Sequence, residues 1–211
     1  MRTHHVSTYI IWALGFLLIW ETNVIVWTTH GERQQRTFHR LLTDSLAYTL
    51  RYMEDYRMQS DQMVFYYENA PVTDCILEGK DGKTLGLKSW MDSAGDTAWI
   101  VFRYTELHCA TCMEQQIALI RQVREQHPEG RFLIMTSYHY RDYFIQFLRT
   151  NQLTDMAVYR VPEEDLLGNA GVPFFFVLDR DMRYKNLFVP DKAYERLTWD
   201  YLTARMERNN L

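Results

Sequence analysis

The sequence predicts an α/β protein: a central mixed β-sheet flanked by helices, a β-hairpin ahead of that core, and two helical segments ahead of the hairpin. Three observations predict it. Apolar runs at Trp99–Phe102, Arg131–Thr136 and Met156–Val161 alternate with stretches of helical spacing, the pattern of parallel βαβ units with right-handed crossovers. A further apolar run ending at Asp179 is followed by a turn and a partner stretch, Tyr184–Val189, which is a hairpin signal. The third is an apolar stretch near the first residue, Tyr9–Trp20, resuming at Val24–Trp27.

Taken in order, Val6–Trp27 approaches the roughly 20 residues that span a bilayer, with Tyr9, Trp12 and Trp27 as candidate interfacial anchors. Glu21 is costly inside hydrocarbon, so it lies near the far interface, is protonated, or marks a shorter span. A cleaved signal peptide needs a small-x-small site after the apolar run, and none follows. A buried core helix is the alternative, weakened because the run is extreme-terminal as well as apolar on every face. Residues 1–29 are therefore expected to form a transmembrane anchor. Arg2, His4 and His5 precede the span and Arg33, Arg36 and Arg40 follow it, so the distribution of positive charge leaves orientation undecided.

Residues 30–62 read as an amphipathic connecting helix, with Phe38, Leu41, Leu42, Leu46, Leu50 and Met53 at spacings of three and four. It is expected to lift the domain off the membrane or to pack on it, the packing helix being favoured; as a dimerising coiled coil the repeat is short and irregular. Residues 63–211 are expected to be the α/β domain. Cys75–Leu77 and Thr84–Leu87, separated by Gly79 to Lys83, form the leading hairpin, and a short helical turn spans Lys88–Gly95. After the Trp99 strand a helix runs to about Gln126, stopped by His127-Pro128-Glu129-Gly130. Tyr140–Arg149 is a second helix with Tyr143, Phe144, Phe147 and Leu148 on one face. Lys192–Glu207 closes the chain as a helix with Leu197, Tyr201 and Leu202 inward.

The chemistry is concentrated in Trp99–Ile120. A buried strand gives way to Thr105-Glu106-Leu107-His108, then Cys109-Ala110-Thr111-Cys112, then Met113, Ile117 and Ile120 at helical spacing. Two cysteines three apart thus sit where a strand ends and a helix begins. The unsatisfied N–H groups and positive dipole end of a helix favour an anion there, so a thiol ionises more readily, and the thiolate is the attacking species. With Cys112 one turn along, a mixed disulfide on Cys109 can be resolved within the protein. A structural zinc site would need two more Cys or His ligands at suitable spacing; only Cys75 and scattered histidines remain. Haem attachment is excluded because Met113, not His, follows Cys112. Two buried core cysteines are the bland alternative, as core packing is for Cys75. A net charge of −4 and no basic stripe with interleaved aromatics give no reason to expect nucleic acid.

The order of hairpin, strand, C-x-x-C at a helix start, βα repeat, then Val172-Pro173 before an apolar strand and hairpin resembles the thioredoxin-like thiol–disulfide oxidoreductases. The hairpin around Gly79–Leu87 and the apolar segment in front make the membrane-tethered TlpA type of bacterial cell envelopes the most similar. The resemblance covers roughly Asp74 to Glu207. It implies a thioredoxin-like fold with an N-terminal hairpin extension, Cys109 as nucleophile and Cys112 as resolving thiol. It also implies a cis peptide bond before Pro173, beside the disulfide, with the Val172 backbone pairing to a substrate peptide. No separate cofactor or metal is implied, since the cysteine pair is itself the redox group. Implied partners are client protein thiols or disulfides and a redox partner protein, on the non-cytoplasmic, periplasmic side.

This sequence departs from the family at named positions. His108-Cys109-Ala110-Thr111-Cys112 stands where Trp-Cys-Gly-Pro-Cys is usual, and Arg103-Tyr104-Thr105 where Phe-Trp-Ala is usual. An imidazolium at His108 could favour thiolate on Cys109, or His108 could be a polar loop residue. Glu106 could shuttle a proton to Cys112, or be a solvated loop carboxylate. Three functions are therefore compared: a membrane-anchored thiol–disulfide oxidoreductase, a binding or scaffold module without redox turnover, and a chaperone holding a soft ion such as Cu(I). The peroxidatic Pro-x-x-x-Thr-x-x-Cys of the peroxiredoxin family is absent before Cys109.

Overall fold

The computed structural model describes residues 3–95, 98–108, 110–161 and 171–209. The chain divides into two compact units, residues 1–55 and 56–211. A single helix, α1 (Thr3–Tyr67), runs through both segments expected to be separate helices. Its continuity follows from composition: the first proline of the chain is Pro71, and no other residue type removes a helical hydrogen bond. Among the described residues no helix is long and apolar enough to cross a membrane, so the expected span has no structural support here. The packing expected of residues 30–62 is also corrected: Phe38, Leu41, Leu42, Leu46, Leu50 and Met53 are all exposed.

The second unit is built on one mixed sheet. Its strands are β1 (Ile76–Glu78), β2 (Thr84–Gly86), β3 (Trp99–Thr105), β4 (Phe132–Ser137), β5 (Ala157–Arg160), β6 (Phe174–Leu178) and β7 (Lys185–Phe188), in the order β2-β1-β5-β4-β3-β6-β7. β3, β4 and β5 are parallel, as the βα alternation predicts. β6 lies antiparallel beside β3, with Phe175 opposite Phe102, and β7 returns along β6. The leading hairpin pairs Leu77 with Leu85 and joins the far edge through Glu78 and Arg160.

Strand alternation sends side chains to two faces, each with its own core. On one face Val101, Leu133, Phe174 and Phe176 meet Leu87, Trp90 and Met91 of α2 (Leu87–Ala94), and Met63 near the end of α1. There Tyr56 donates its hydroxyl to the Val189 carbonyl, and the Glu68 carboxylate accepts from the backbone of Asn186 and Leu187 at 2.8 and 2.9 Å. On the other face Ile100, Phe102, Tyr104 and Phe175 are covered by α3 (Ala110–Gln126), α4 (Arg141–Thr150) and α5 (Glu195–Asn209). Met113, Ile117 and Ile120 of α3 are buried as their spacing predicts. Each such side chain contributes about 1.5–3 kcal/mol by leaving water.

Two helix faces differ from expectation. On α4, Phe144 and Leu148 are buried, while Tyr143 is exposed and Phe147 only partly covered. On α5 the inward stripe is Thr198, Leu202 and Met206, four residues apart, and Leu197 stays 46 % exposed. In both helices the fully buried stripe is flanked by partly buried residues, Ile145 and Phe147 on α4 and Trp199 and Tyr201 on α5.

Candidate active site

β3 delivers the motif to the carboxyl edge of the parallel strands. After Thr105 the chain makes a turn at Glu106-Leu107, with the His108 N–H donating to the Thr105 carbonyl at 3.1 Å, and α3 begins at Ala110. Cys112 is the third residue of α3 and is partly exposed. It therefore lies in the first turn, where backbone N–H groups have no partner within the helix and the dipole end is positive. Cys109 lies outside the described residues. Cys75 is buried in the sheet core that also holds Leu77 and Met91. Among the described residues no group of three or more His, Cys, Asp or Glu side chains is placed to hold a metal ion.

The loop before the cysteines is fixed by its own polar groups. The Glu106 N–H donates to the Ser137 carbonyl at 3.0 Å, and Glu106 Oε1 accepts from the His139 backbone N–H at 3.0 Å. The Thr105 backbone N–H donates to His108 Nδ1 at 3.2 Å, which leaves the ring proton of a neutral imidazole on Nε2. Burial pushes the His108 pKa down to about 4, with the positive charge of Arg103 as the second cause. His108 is thus neutral at neutral pH, which favours the loop residue over the imidazolium among its two readings. Leu107, at the tip of the turn, is 79 % exposed.

Beneath this loop is a residue whose importance the pattern of the sequence does not reveal. Arg103 is 1 % exposed, among the largest fully buried side chains of the chain. Strand alternation places it on the face of Val101, and its guanidinium turns up to the strand ends. It donates to the Tyr104 carbonyl and, at 2.7 Å, to Ser137 Oγ, which in turn donates to the Val161 carbonyl at 2.9 Å. The one signal in the sequence is a charged residue inside the run Trp99–Thr105. On the opposite face the buried Tyr104 hydroxyl is raised well above its ordinary pKa, chiefly by burial.

Beside the loop, at the carboxyl ends of β3, β4 and β5, a groove of about 280 Å³ is lined by Ile76, Glu78, Thr84, Glu106, Tyr138 and Arg160, among others. Its floor is an ion network. Arg160 Nε donates to Glu78 Oε2 at 2.9 Å and Arg160 Nη1 to the Tyr138 carbonyl at 3.1 Å, while Arg141 Nε lies 3.3 Å from Glu78 Oε1. The hairpin is thereby tied to the loop after β4, facing the motif loop through Glu106.

Val172 and Pro173, expected to bind substrate, lead directly into β6. Both are partly buried, and Val172 packs against the core on the Val101 face. Gly171, at φ +71°, makes the turn that a residue with a Cβ rarely adopts. No peptide bond between described residues is cis, which corrects the cis bond expected before Pro173. An X–Pro bond favours trans by about 0.5–1 kcal/mol unless its surroundings force the other isomer.

No protein-family model matches the sequence, and no curated protein does. Solved structures do. The chain is similar to a thiol:disulfide interchange protein from Bacteroides sp., at TM-score 0.52 and 8% identity, over 68% of this chain and 91% of that one. It is also similar to the peroxidoxin BcpB of Mycobacterium tuberculosis, at TM-score 0.48 and 14% identity, over 65% and 97%. The first likeness and the mixed seven-stranded sheet give a thioredoxin-like fold, as the resemblance in the sequence implied. In this fold the hairpin β1–β2 forms one edge of the sheet.

Proposed function

We propose that this protein is a thiol–disulfide oxidoreductase that exchanges disulfides with partner proteins through Cys109 and Cys112. The observation that carries the reading is the place of Cys112, in the first turn of α3 at the carboxyl end of β3, in a thioredoxin-like fold. The Cys109 thiolate attacks one sulfur of a client disulfide, forming a mixed disulfide and releasing the other client sulfur as a thiolate that takes a proton. The Cys112 thiolate then attacks Cys109 Sγ, forming the Cys109–Cys112 disulfide and releasing the second client thiol. Run this way, two electrons pass from the pair to the client and a second dithiol protein restores the pair; run in reverse, a client thiolate attacks the Cys109–Cys112 disulfide and the client dithiol is oxidised. Val172 and Pro173, next to β6, are the backbone segment proposed to hold the client peptide. The apolar segment Tyr9–Trp27 supports a membrane tether, with the redox domain on the non-cytoplasmic side where disulfides persist.

A binding module without turnover is the second reading, favoured by the altered His-Cys-Ala-Thr-Cys motif. The test is equilibration of the full chain against glutathione or dithiothreitol buffers, with thiols counted by mass after alkylation. A reversible two-thiol transition that disappears in Cys109→Ser is the expected result. A pair that never cycles overturns the redox reading in favour of the binding module.

A further inference from the structure

Between residues 33 and 55 the helix α1 has two unlike faces. We propose that the apolar one is a self-association surface, packed against the same face of a second copy of this chain.

The faces follow from the helical turn of about 100° per residue. Phe38, Leu42, Leu46 and Leu50, four apart, make one ridge along the helix, and Leu41, Ser45, Thr49 and Met53 make the row beside it. All eight residues are exposed, Phe38, Leu41 and Leu50 by 61–65 %. Every Asp, Glu and Arg of this stretch falls within an arc of about 100° on the other side. Further along the apolar face, in the second unit, Met63 is buried in the sheet core and Tyr56 packs against it. The part from Phe38 to Met53 has no such cover within the chain.

Three observations choose a second copy as the cover. The first is shape. The row beside the ridge dips at Ser45 and Thr49, and the Thr49 hydroxyl donates back to the Ser45 carbonyl at 2.9 Å, so it needs no partner across an interface. Rows four apart are the ridges that fit each other's grooves where two helices cross at about 50°. Around Leu46 the large ridge of one copy thus meets the small row of the other. This also explains why the repeat is irregular as a coiled coil, which needs a period of about 3.5 rather than rows four apart.

The second is the place of the charges. Charges beside a contact select between partners, and identical helices set like charges against each other. Here all the charges lie behind the contact, so two copies meet without that repulsion. The third is their sign. The charged arc holds four arginines and three acidic residues, nearly balanced, whereas a helix lying on a membrane surface has a polar face rich in Lys and Arg. Two copies related by a twofold axis bury the same patch on each, which closes the assembly at two.

The test uses the full chain in detergent solution. Its mass by light scattering, corrected for bound detergent, is expected to be twice the 25.4 kDa of one chain. Leu46→Glu keeps a good helix former and should reduce the mass to that of one chain. Ser45→Trp separates packing from stickiness, because it enlarges the apolar face yet fills the row that receives the partner's ridge. Loss of the dimer is expected there too; a larger assembly, the mark of general adhesion, overturns the proposal. A photo-crosslinking amino acid in place of Leu42, with the chain in vesicles of phosphatidylcholine and phosphatidylglycerol, should join two chains, and one in place of Arg51 should not. A single-chain mass in wild type, an unchanged dimer in Leu46→Glu, or equal crosslinking from positions 42 and 51 overturns the proposal. Crosslinks from position 42 to lipid alone overturn it in favour of a membrane surface. The thiols enter none of these readouts, so the redox reading stands or falls separately.

Discussion

β3 is two regions in seven residues. Its first part, Trp99–Phe102, is apolar by sequence and lines both cores, with Phe102 stacked on Phe175 at 4.4 Å. Its last part, Arg103–Thr105, is just as buried, yet it carries a guanidinium, a phenol and a hydroxyl. Burial of the first kind is non-directional and favourable in itself. Burial of the second kind costs free energy unless every group is bonded, so it persists where the surroundings dictate its geometry. The difference separates what makes the sheet from what equips its edge, and the edge is where the cysteine motif begins.

The comparison can be broken from its apolar side, where the effect is largest. Phe102→Ala removes a ring packed between Phe175 and Tyr104, and it should destabilise the domain by about 3–5 kcal/mol in denaturant unfolding. The ionisation of the thiols in the fraction that stays folded should not change. A shifted thiol midpoint in folded Phe102→Ala would join the two regions into one.

From the polar side, pH is the sharper tool. The folded pKa of His108 is about 4, depressed from its ordinary 6.5. Between these values the unfolded chain binds the extra proton, so stability rises with pH across this window and falls as pH drops through it. At about 1.4 kcal/mol per unit the loss between pH 7 and pH 4 is at most about 3 kcal/mol, and partial exposure of the ring reduces it to about 2. Unfolding free energies of wild type and His108→Asn, measured from pH 7 to pH 4, should differ in slope, with the variant flatter. Equal slopes would mean that His108 is solvated in the folded state.

How much of this was legible in the sequence follows the same division. Periodicity and turn residues sufficed for every strand of the sheet and for α3, because those elements are set by apolar burial. The same rule misplaced Leu197 and Tyr143, since apolarity names candidate inward residues and only the geometry of the packed helix selects among them. It left the residues of α1 from Phe38 to Met53 with an expected packing that the chain does not provide. At the site, the cysteine spacing and the strand–helix junction were readable, while the burial of Arg103 was not, because a charged residue reads as solvated unless its partners are known. Those partners, Ser137 and through it Val161, lie 34 and 58 residues away in sequence. The choice between the two readings of His108 was illegible for the same reason: its proton affinity is set by burial and by Arg103.

The smallest effect tests where the polar region ends. Glu106 is exposed, and its Oε1 accepts the His139 N–H that ties the motif loop to the loop after β4. A glutamine carbonyl can accept the same bond. Glu106→Gln should therefore leave unfolding free energy within about 0.5 kcal/mol of wild type, and the rate of Cys112 attack on a Cys109 mixed disulfide unchanged. Glu106→Ala leaves the His139 N–H to water and should cost about 1 kcal/mol. A proton shuttle gives the opposite ranking in kinetics: glutamine, which cannot exchange a proton, would slow the resolving step as much as alanine does. Stopped-flow resolution of a mixed disulfide in the two variants separates these cases. Equal rates in wild type and Glu106→Gln confine Glu106 to holding the loop.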